Sequence, residues 1–512
     1  MYKCSEAAKT NAMSISVFGI IYILITLALC FKRKWFTYWF VFSNSLYYTS
    51  VLTVGDFPVK PCYVSILVMF FVFVRSNILT RNSFRQKDIS SLFLFLVWIY
   101  VSFFCSFFLK NIQVLPSDSS LSDYSNLQML HATWGSVTQT IFPLYGIFSY
   151  FVIKAYIKTK QDIKDFTRGY VLSFIPLVIT VIILFIFRNV IHASNLTQLF
   201  FSFIYPTYSR NVEGNTYGSI GDIARTFTYI GEASYTAKYY LVMVSLFVSM
   251  LLYKKNTNFQ KTYLLFIFLL LIAMITILGS TTAYVGVIML GLIIAFLYFR
   301  YHHIIPAPVV RSNSNFMALT TIFGFLIIIP LVLIFYDKIM FFINYLLVNN
   351  VDKIAGDEGS GVIRLGTNLI GINVFLQSPL FGVGYGHNRT TSYFSFLLSN
   401  VGIVGFLLFN FFCWYLIVMS LKKLKRMPGD LKVHCMIYVT MFIITYIINC
   451  SFSGTVAIAF GWVWSNAAIL GSLINWRGLE DVKDDDLEVD YKKRVSYKLS
   501  VSPGNKTWLK KI

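Results

Sequence analysis

The chain has 512 residues, of which 57% are hydrophobic, 18% aromatic and only 13% charged, with a mean hydropathy of +0.67. A soluble chain carries about a quarter charged residues, so these figures exclude a soluble globular protein, a disordered chain and a collagen-like one, and leave a polytopic membrane protein. Seven cysteines without a CxxC pair point to neither a zinc site nor a disulfide framework. A net charge of +21 would suggest nucleic acid in a soluble protein. Here it reads as topology, because Lys and Arg collect in cytoplasmic loops, and no nucleic-acid partner is expected.

Apolar runs of about 18–22 residues, long enough to cross a hydrocarbon core, fall at 13–31, 35–54, 62–79, 90–109, 134–153, 169–187, 236–253, 263–280, 281–299, 317–336, 393–419, 433–450 and 455–475. They predict an all-α membrane protein of about thirteen helices, with twelve or fourteen as alternatives. Span 35–54 is polar for a membrane helix, and 62–79 carries Arg75 near its end. Met13–Phe31 lacks a small-residue cleavage site and is followed by Lys32-Arg33-Lys34, so a retained helix is expected in place of a signal peptide.

The short loops Lys32–Lys34, Arg75–Lys87, Lys154–Arg168, Lys254–Lys261, Arg300–Arg311 and Lys422–Lys432, with the tail, hold about 31 of the 43 Lys and Arg, which makes this face cytoplasmic. The C-terminus is then inside and, with thirteen spans, the N-terminus outside. The chain divides into N-terminal membrane helices (1–187), a first long external loop (188–235), central helices (236–336), a second long external loop (337–392), C-terminal helices (393–475) and a cytoplasmic tail (476–512). Leu199–Tyr205 and Met340–Leu347 give each long loop an apolar segment suited to an interfacial helix. The spans are nearly free of charge.

Three arginines break the charge rule: Arg210, Arg225 and Arg364 lie in the long external loops. One reading is solvated loop charge. The other is anion binding, since guanidinium grips phosphate with two parallel donors. Val362–Gln377 has helical character and stops at Ser378-Pro379, as a helix should. Arg364, Thr367, Asn368 and Gly371 form one polar stripe on it, with Leu365, Leu369, Ile372 and Phe375 covering much of the rest.

The stretch Pro379-Leu-Phe-Gly382-Val-Gly384-Tyr-Gly386-His387-Asn388 follows. Its alternate glycines suggest backbone amides that approach an anion. A Rossmann reading fails for want of a βαβ unit. A potassium-filter reading fails because Gly382 stands where the filter has threonine. Glu232, at the outer boundary of span 236–253, is a general base, an arginine's ion-pair partner or a structural helix-start charge. Asp352, Asp357 and Glu358 do not match a calcium loop. His131 and His192 have no ligand partners nearby in sequence, so no metal is expected.

Taken together, Arg364, the Pro379–Gly386 motif and Leu397-Leu-Ser-Asn-Val-Gly402-Ile-Val-Gly405 resemble the O-antigen polymerase and O-antigen ligase superfamily. Arg225-x5-Gly231-Glu232-Ala-Ser and Leu278-Gly-Ser280-Thr-Thr-Ala resemble its upstream segments, so the likeness covers about residues 220–420. Arg210-x10-Gly221 is similar to the spaced Arg/Gly motifs of polymerase loops. The resemblance implies a cofactor- and metal-independent glycosyltransferase of GT-C type in the bacterial cytoplasmic membrane. It would act on the outer face of the cytoplasmic membrane on oligosaccharides carried by undecaprenyl diphosphate, with a flippase and a chain-length regulator as further partners. Arg364 and Arg225 would stabilise the departing diphosphate, and Glu232 or His387 would take the acceptor's proton. Arg210, Asn368, Gly382, Gly384, Gly386 and Asn388 would bind substrate. The ligase branch places a histidine where Thr391-Ser392 stand here, with His387-Asn388 four residues upstream. That departure favours a polymerase, with a ligase-type transferase and a lipid-linked glycan flippase as alternatives.

Overall fold

The computed structural model describes residues 13–47, 49–54, 57–74, 87–109, 111–116, 126–187, 228–230, 233–253, 280–301, 360–452 and 458–476, with isolated positions between them. These residues are mostly helical. Their helices are α1 (Val17–Leu29), α2 (Arg33–Ser45), α3 (Pro61–Met69, extended by a π turn to Val74), α4 (Lys87–Cys105), α5 (Trp134–Gln139), α6 (Ile141–Tyr156), α7 (Lys160–Phe185), α8 (Ala233–Tyr253), α9 (Thr281–Tyr301), α10 (Ser360–Gln377), α11 (Tyr393–Lys423), α12 (Gly429–Phe452) and α13 (Gly461–Ile474). Among the described residues, six helical stretches are long and apolar enough to cross a membrane: Asp88–Phe108, Gly135–Tyr156, Lys160–Phe185, Ala233–Tyr253, Tyr393–Arg426 and Gly429–Phe452. Shorter apolar helices run at Val17–Leu29, Pro61–Val74, Val285–Tyr301 and Val362–Gln377. The expected spans 263–280 and 317–336, and the segment Met340–Leu347, lie outside the described residues apart from isolated positions.

Two expected spans are corrected at their ends. The first begins with a strand, β1 (Met13–Ile15), and its helix starts only after Ser16, whose hydroxyl caps the Gly19 amide at 2.8 Å. The second stops at Ser45, well short of residue 54. Its polar continuation turns into β2 (Leu52–Val54), which pairs antiparallel with β1 and with β3 (Phe57–Val59). Buried Asn44 is held there by Ser465 of α13 at 2.9 Å. Backbone groups that a continuing helix would satisfy are satisfied by the small sheet instead.

The helices pair as α2 on α7, α4 on α11, α8 on α12 and α6 on α13. Aromatic side chains fill much of the joint core: Tyr22, Tyr150, Tyr156, Tyr170, Tyr239, Trp462 and Trp464 are fully buried.

Ionic contacts mark one end of the bundle. Arg33 at the start of α2 meets Asp162 with two hydrogen bonds of 3.0 Å. Asp162 also closes a capping box with Thr159 at the start of α7. Lys154, near the end of α6, pairs with buried Asp88 at the start of α4, and Tyr150 donates to the same carboxylate. Lys164 reaches Asp430 at 3.4 Å, and Lys423 donates to the Ile474 carbonyl at 2.8 Å. Among the described residues, the basic loops at Lys32–Lys34, Lys154–Arg168 and Lys422–Lys432 are thus drawn together at one end. The chain end of α4, the start of α11 and the last turn of α12 therefore lie at the other.

Candidate functional site

At that other end the Gly-rich stretch forms a buried turn between α10 and α11. Gly382, Gly384 and Gly386 have φ of 68°, 95° and 85°, a region that L side chains rarely adopt. Opposite them Gly402 has φ 65° and ψ −172° and kinks α11. Gly382 packs on the backbone of Asn400, and Gly402 on the Leu380 carbonyl, so a Cβ at either would overlap main-chain atoms. Two backbones meet here with no side chain between them.

The turn's amides are largely committed to this fit. Gly382 N donates to Ser378 O, Val383 N to Ser399 O and Gly384 N to Asn400 O, each at 2.9 Å. This corrects the expectation that Gly382 and Gly384 cradle an anion: their amides already serve carbonyls, and the two glycines shape the turn. Asn388 and Asn400 bond reciprocally, Asn388 N to Asn400 Oδ1 at 2.9 Å and Asn400 Nδ2 to Asn388 O at 2.8 Å. Asn388 Oδ1 also accepts the Leu115 amide at 3.0 Å. Ser102, near the end of α4, donates to the carbonyls of Phe381 at 2.6 Å and Asn400 at 2.7 Å, and the Trp98 ring stacks on Phe381 at 5.2 Å. Ile112, Val114, Val374 and Val383 form a small core under the turn.

His387 is 2% exposed. Its ring lies 5.2 Å from Phe103, and among the described residues Nδ1 has no hydrogen-bond partner. Asn388 Nδ2 and Gln139 Oε1 are likewise buried without a partner among the described residues, and Gln139 packs against Gly386. Burial pushes the His387 imidazole below its ordinary value, and nearby His131 lowers it further. It is therefore a neutral imidazole at pH 7, the form that accepts a proton.

α10 ends at Gln377, as Ser378-Pro379 predicts, and starts two residues ahead of the expected Val362, but its stripes are set for an apolar surrounding. Leu365, Leu369, Ile372 and Leu376 are exposed, whereas Thr367 and Gly371 are buried. Asn368 fixes the polar side to α11: its Oδ1 accepts Ser395 Oγ at 2.8 Å, Ser392 N at 3.1 Å and Thr391 Oγ1 at 3.3 Å. Asn368 is thus an anchor between helices. Arg364, half-buried, starts this stripe, and its carbonyl accepts the hydroxyls of Thr367 and Thr391 at 3.1 and 3.2 Å. The structure therefore brings Arg364, Asn368, His387 and Asn388 to one end of the bundle. Arg210, Arg225 and Glu232 lie outside the described residues.

Two lysines of this end were not among the sequence candidates. Lys238, in the second turn of α8, is 2% exposed and donates to Phe452 O at 2.9 Å, a lone charge inside an apolar span. Lys60, the residue before α3, lies over the Tyr47 ring at 3.2 Å, and burial pushes its amine down to about 7. The signal for Lys238 is in the sequence: a lysine inside an apolar run is costly unless the fold provides for it. Lys60 sits in a loop, where no pattern singles it out.

No protein-family model matches the chain, and no curated protein matches it significantly.

Proposed function

We propose that the chain is a membrane polysaccharide polymerase that joins oligosaccharide repeat units carried on undecaprenyl diphosphate at the outer face of the bacterial cytoplasmic membrane. The observation that carries the reading is that Arg364 and a buried neutral imidazole, His387, stand together at the end opposite the basic loops. By the charge rule that end faces outward. The donor sugar is already activated by its diphosphate. A hydroxyl of the acceptor unit attacks the anomeric carbon, the C–O bond to the diphosphate breaks, and the proton passes to a base such as His387. Arg364 offsets charge that builds on the leaving diphosphate. With an oxocarbenium-like transition state, much of the catalysis is positioning, and the interlocked turn at Gly382 and Gly402 supplies a rigid frame for it.

Glycan analysis of a deletion strain tests the reading. Single repeat units left on the lipid are the expected result. Full-length chains stranded on the carrier would assign a ligase instead, and loss of outward-facing lipid-linked units a flippase. Sidedness is tested by cysteines placed at Asp357 and Lys425: a membrane-impermeant thiol reagent should label the first in intact cells and not the second.

A further inference from the structure

The last turn of α11 and the short 3-10 turn that follows it (Leu424–Arg426) carry three exposed cations, Lys422, Lys425 and Arg426. Among the described residues none of their side chains meets a carboxylate or holds a hydrogen bond. Lys422 and Arg426 stand four residues apart, a spacing at which like charges on a helix repel. The next carboxylate along the chain, Asp430, is paired with Lys164 at 3.4 Å. The lysine between them differs: Lys423 is half-buried and donates to the Ile474 carbonyl at 2.8 Å.

That bond sets the last turn of α13 beside the three cations. The described chain ends two residues later, at Trp476. Glu480 follows after four more residues, a link of at most about 14 Å at the reach of an extended chain. From there Glu480–Asp490 holds seven carboxylates, among them the run Asp484-Asp485-Asp486, against one lysine, Lys483. This segment lies outside the described residues. A tether this short keeps it at a millimolar or higher local concentration around the three cations. An anionic bilayer surface repels the same carboxylates, so the segment gains by meeting cations at the helix ends.

We propose that Lys422, Lys425 and Arg426 form a docking surface for the acidic segment Glu480–Asp490 of the same chain, which lies over the junction of α11 and α12. Two other occupants compete on charge alone. Anionic headgroups would take the cations, and the basic run Lys492–Lys511 would take the carboxylates.

Proteolysis separates these outcomes. The full-length protein in phosphatidylcholine nanodiscs is treated at low salt with a glutamyl endopeptidase, and cleavage after Glu480 and Glu488 is followed by mass spectrometry. A docked segment is cut in proportion to the time it spends undocked. The combined variant Lys422→Gln, Lys425→Gln, Arg426→Gln should be cut about tenfold faster than the wild type. The combined variant Asp484→Asn, Asp485→Asn, Asp486→Asn, which leaves the helices untouched, should show the same rise. The difference between wild type and variants should vanish in about 1 M salt, where charges are screened within about 3 Å. Lys422→Glu, Lys425→Glu and Arg426→Glu combined with Asp484→Lys, Asp485→Lys and Asp486→Lys should restore protection, and no recovery overturns direct contact. Equal rates for the wild type and the neutral cation variant at low salt overturn the proposal and leave the carboxylates to Lys492–Lys511 or to water. In nanodiscs containing phosphatidylglycerol the protection should persist. A wild type cut there as fast as the variant would assign the cations to headgroups and overturn the proposal as well.

Discussion

At the basic end of the bundle the ionic groups answer one another inside the fold: Arg33 with Asp162, Lys154 and Tyr150 with Asp88, Lys164 with Asp430 and Arg168 with Asp165. At the opposite end, among the described residues, Lys60 rests on a tyrosine ring without a carboxylate, and His387 Nδ1, Asn388 Nδ2 and Gln139 Oε1 are buried without partners. The rigidity of the two ends also has different sources. One is held by ion pairs and caps, the other by backbone fitted on backbone at Gly382 and Gly402. Charges spent within the fold hold it together, whereas polar groups left over beside a rigid frame are the ones a substrate can complete.

The largest effect that would break this comparison is at the paired end. Asp88→Ala leaves Lys154 as a buried charge without its carboxylate and should cost about 3–5 kcal/mol, seen as a lowered Tm of the purified protein. The double variant Asp88→Ala with Lys154→Met should recover most of it. An unchanged Tm in the single variant would mean that the pair does not hold this end. Next is Gly402→Ala, which forces a side chain into a positive-φ position against the Leu380 carbonyl. Strain of this kind costs about 1–3 kcal/mol, and the loss should appear in Tm with the helical circular dichroism retained.

A pH scan sharpens the contrast at the other end. The folded value of His387 lies below the 6.5 of an unperturbed imidazole, so within that interval the unfolded chain holds more protons than the folded one. Its contribution to stability is therefore complete above pH 6.5 and is lost as pH falls through the interval. Tm should drop on acidification below 6.5 by more in the wild type than in His387→Gln, and equal drops would contradict the buried neutral imidazole. The smallest effect belongs to the exposed pair: with Asp430 mostly in solvent, Lys164→Ala should change stability by less than about 1 kcal/mol and leave polymer length as in the wild type.

Much of this contrast was legible in the sequence. The clustering of Lys and Arg in alternate short loops marks the paired end before any contact is known, and Ser378-Pro379 places the end of α10 at the right residue. Alternate glycines signal an unusual turn, and three positive φ angles follow. What the pattern does not convey is what each group faces. The spacing of Gly382 and Gly384 suits an anion cradle, yet the Gly382 amide points to the Ser378 carbonyl four residues back and the Gly384 amide to the Asn400 carbonyl, which α11 brings from across the chain. The polar stripe of α10 is visible as a period, but only packing tells that Asn368 is spent on Thr391, Ser392 and Ser395. The early end of α2 depends on a sheet formed with residues on either side of it, and such pairing has no local signature.

In the proposed polymerase, Arg364 serves the departing diphosphate at the outer end. The most direct measurement is the length distribution of surface polysaccharide made by Arg364→Ala and Arg364→Lys at wild-type protein levels. Loss of a charge-assisted contact made mainly in the transition state costs about 3 kcal/mol, or about a hundredfold in rate, and lysine lacks the paired donors that would restore it. Both variants should therefore give a ladder collapsed to short chains or single units. A wild-type ladder from Arg364→Ala would reduce the arginine to a headgroup contact and contradict the catalytic assignment of this end.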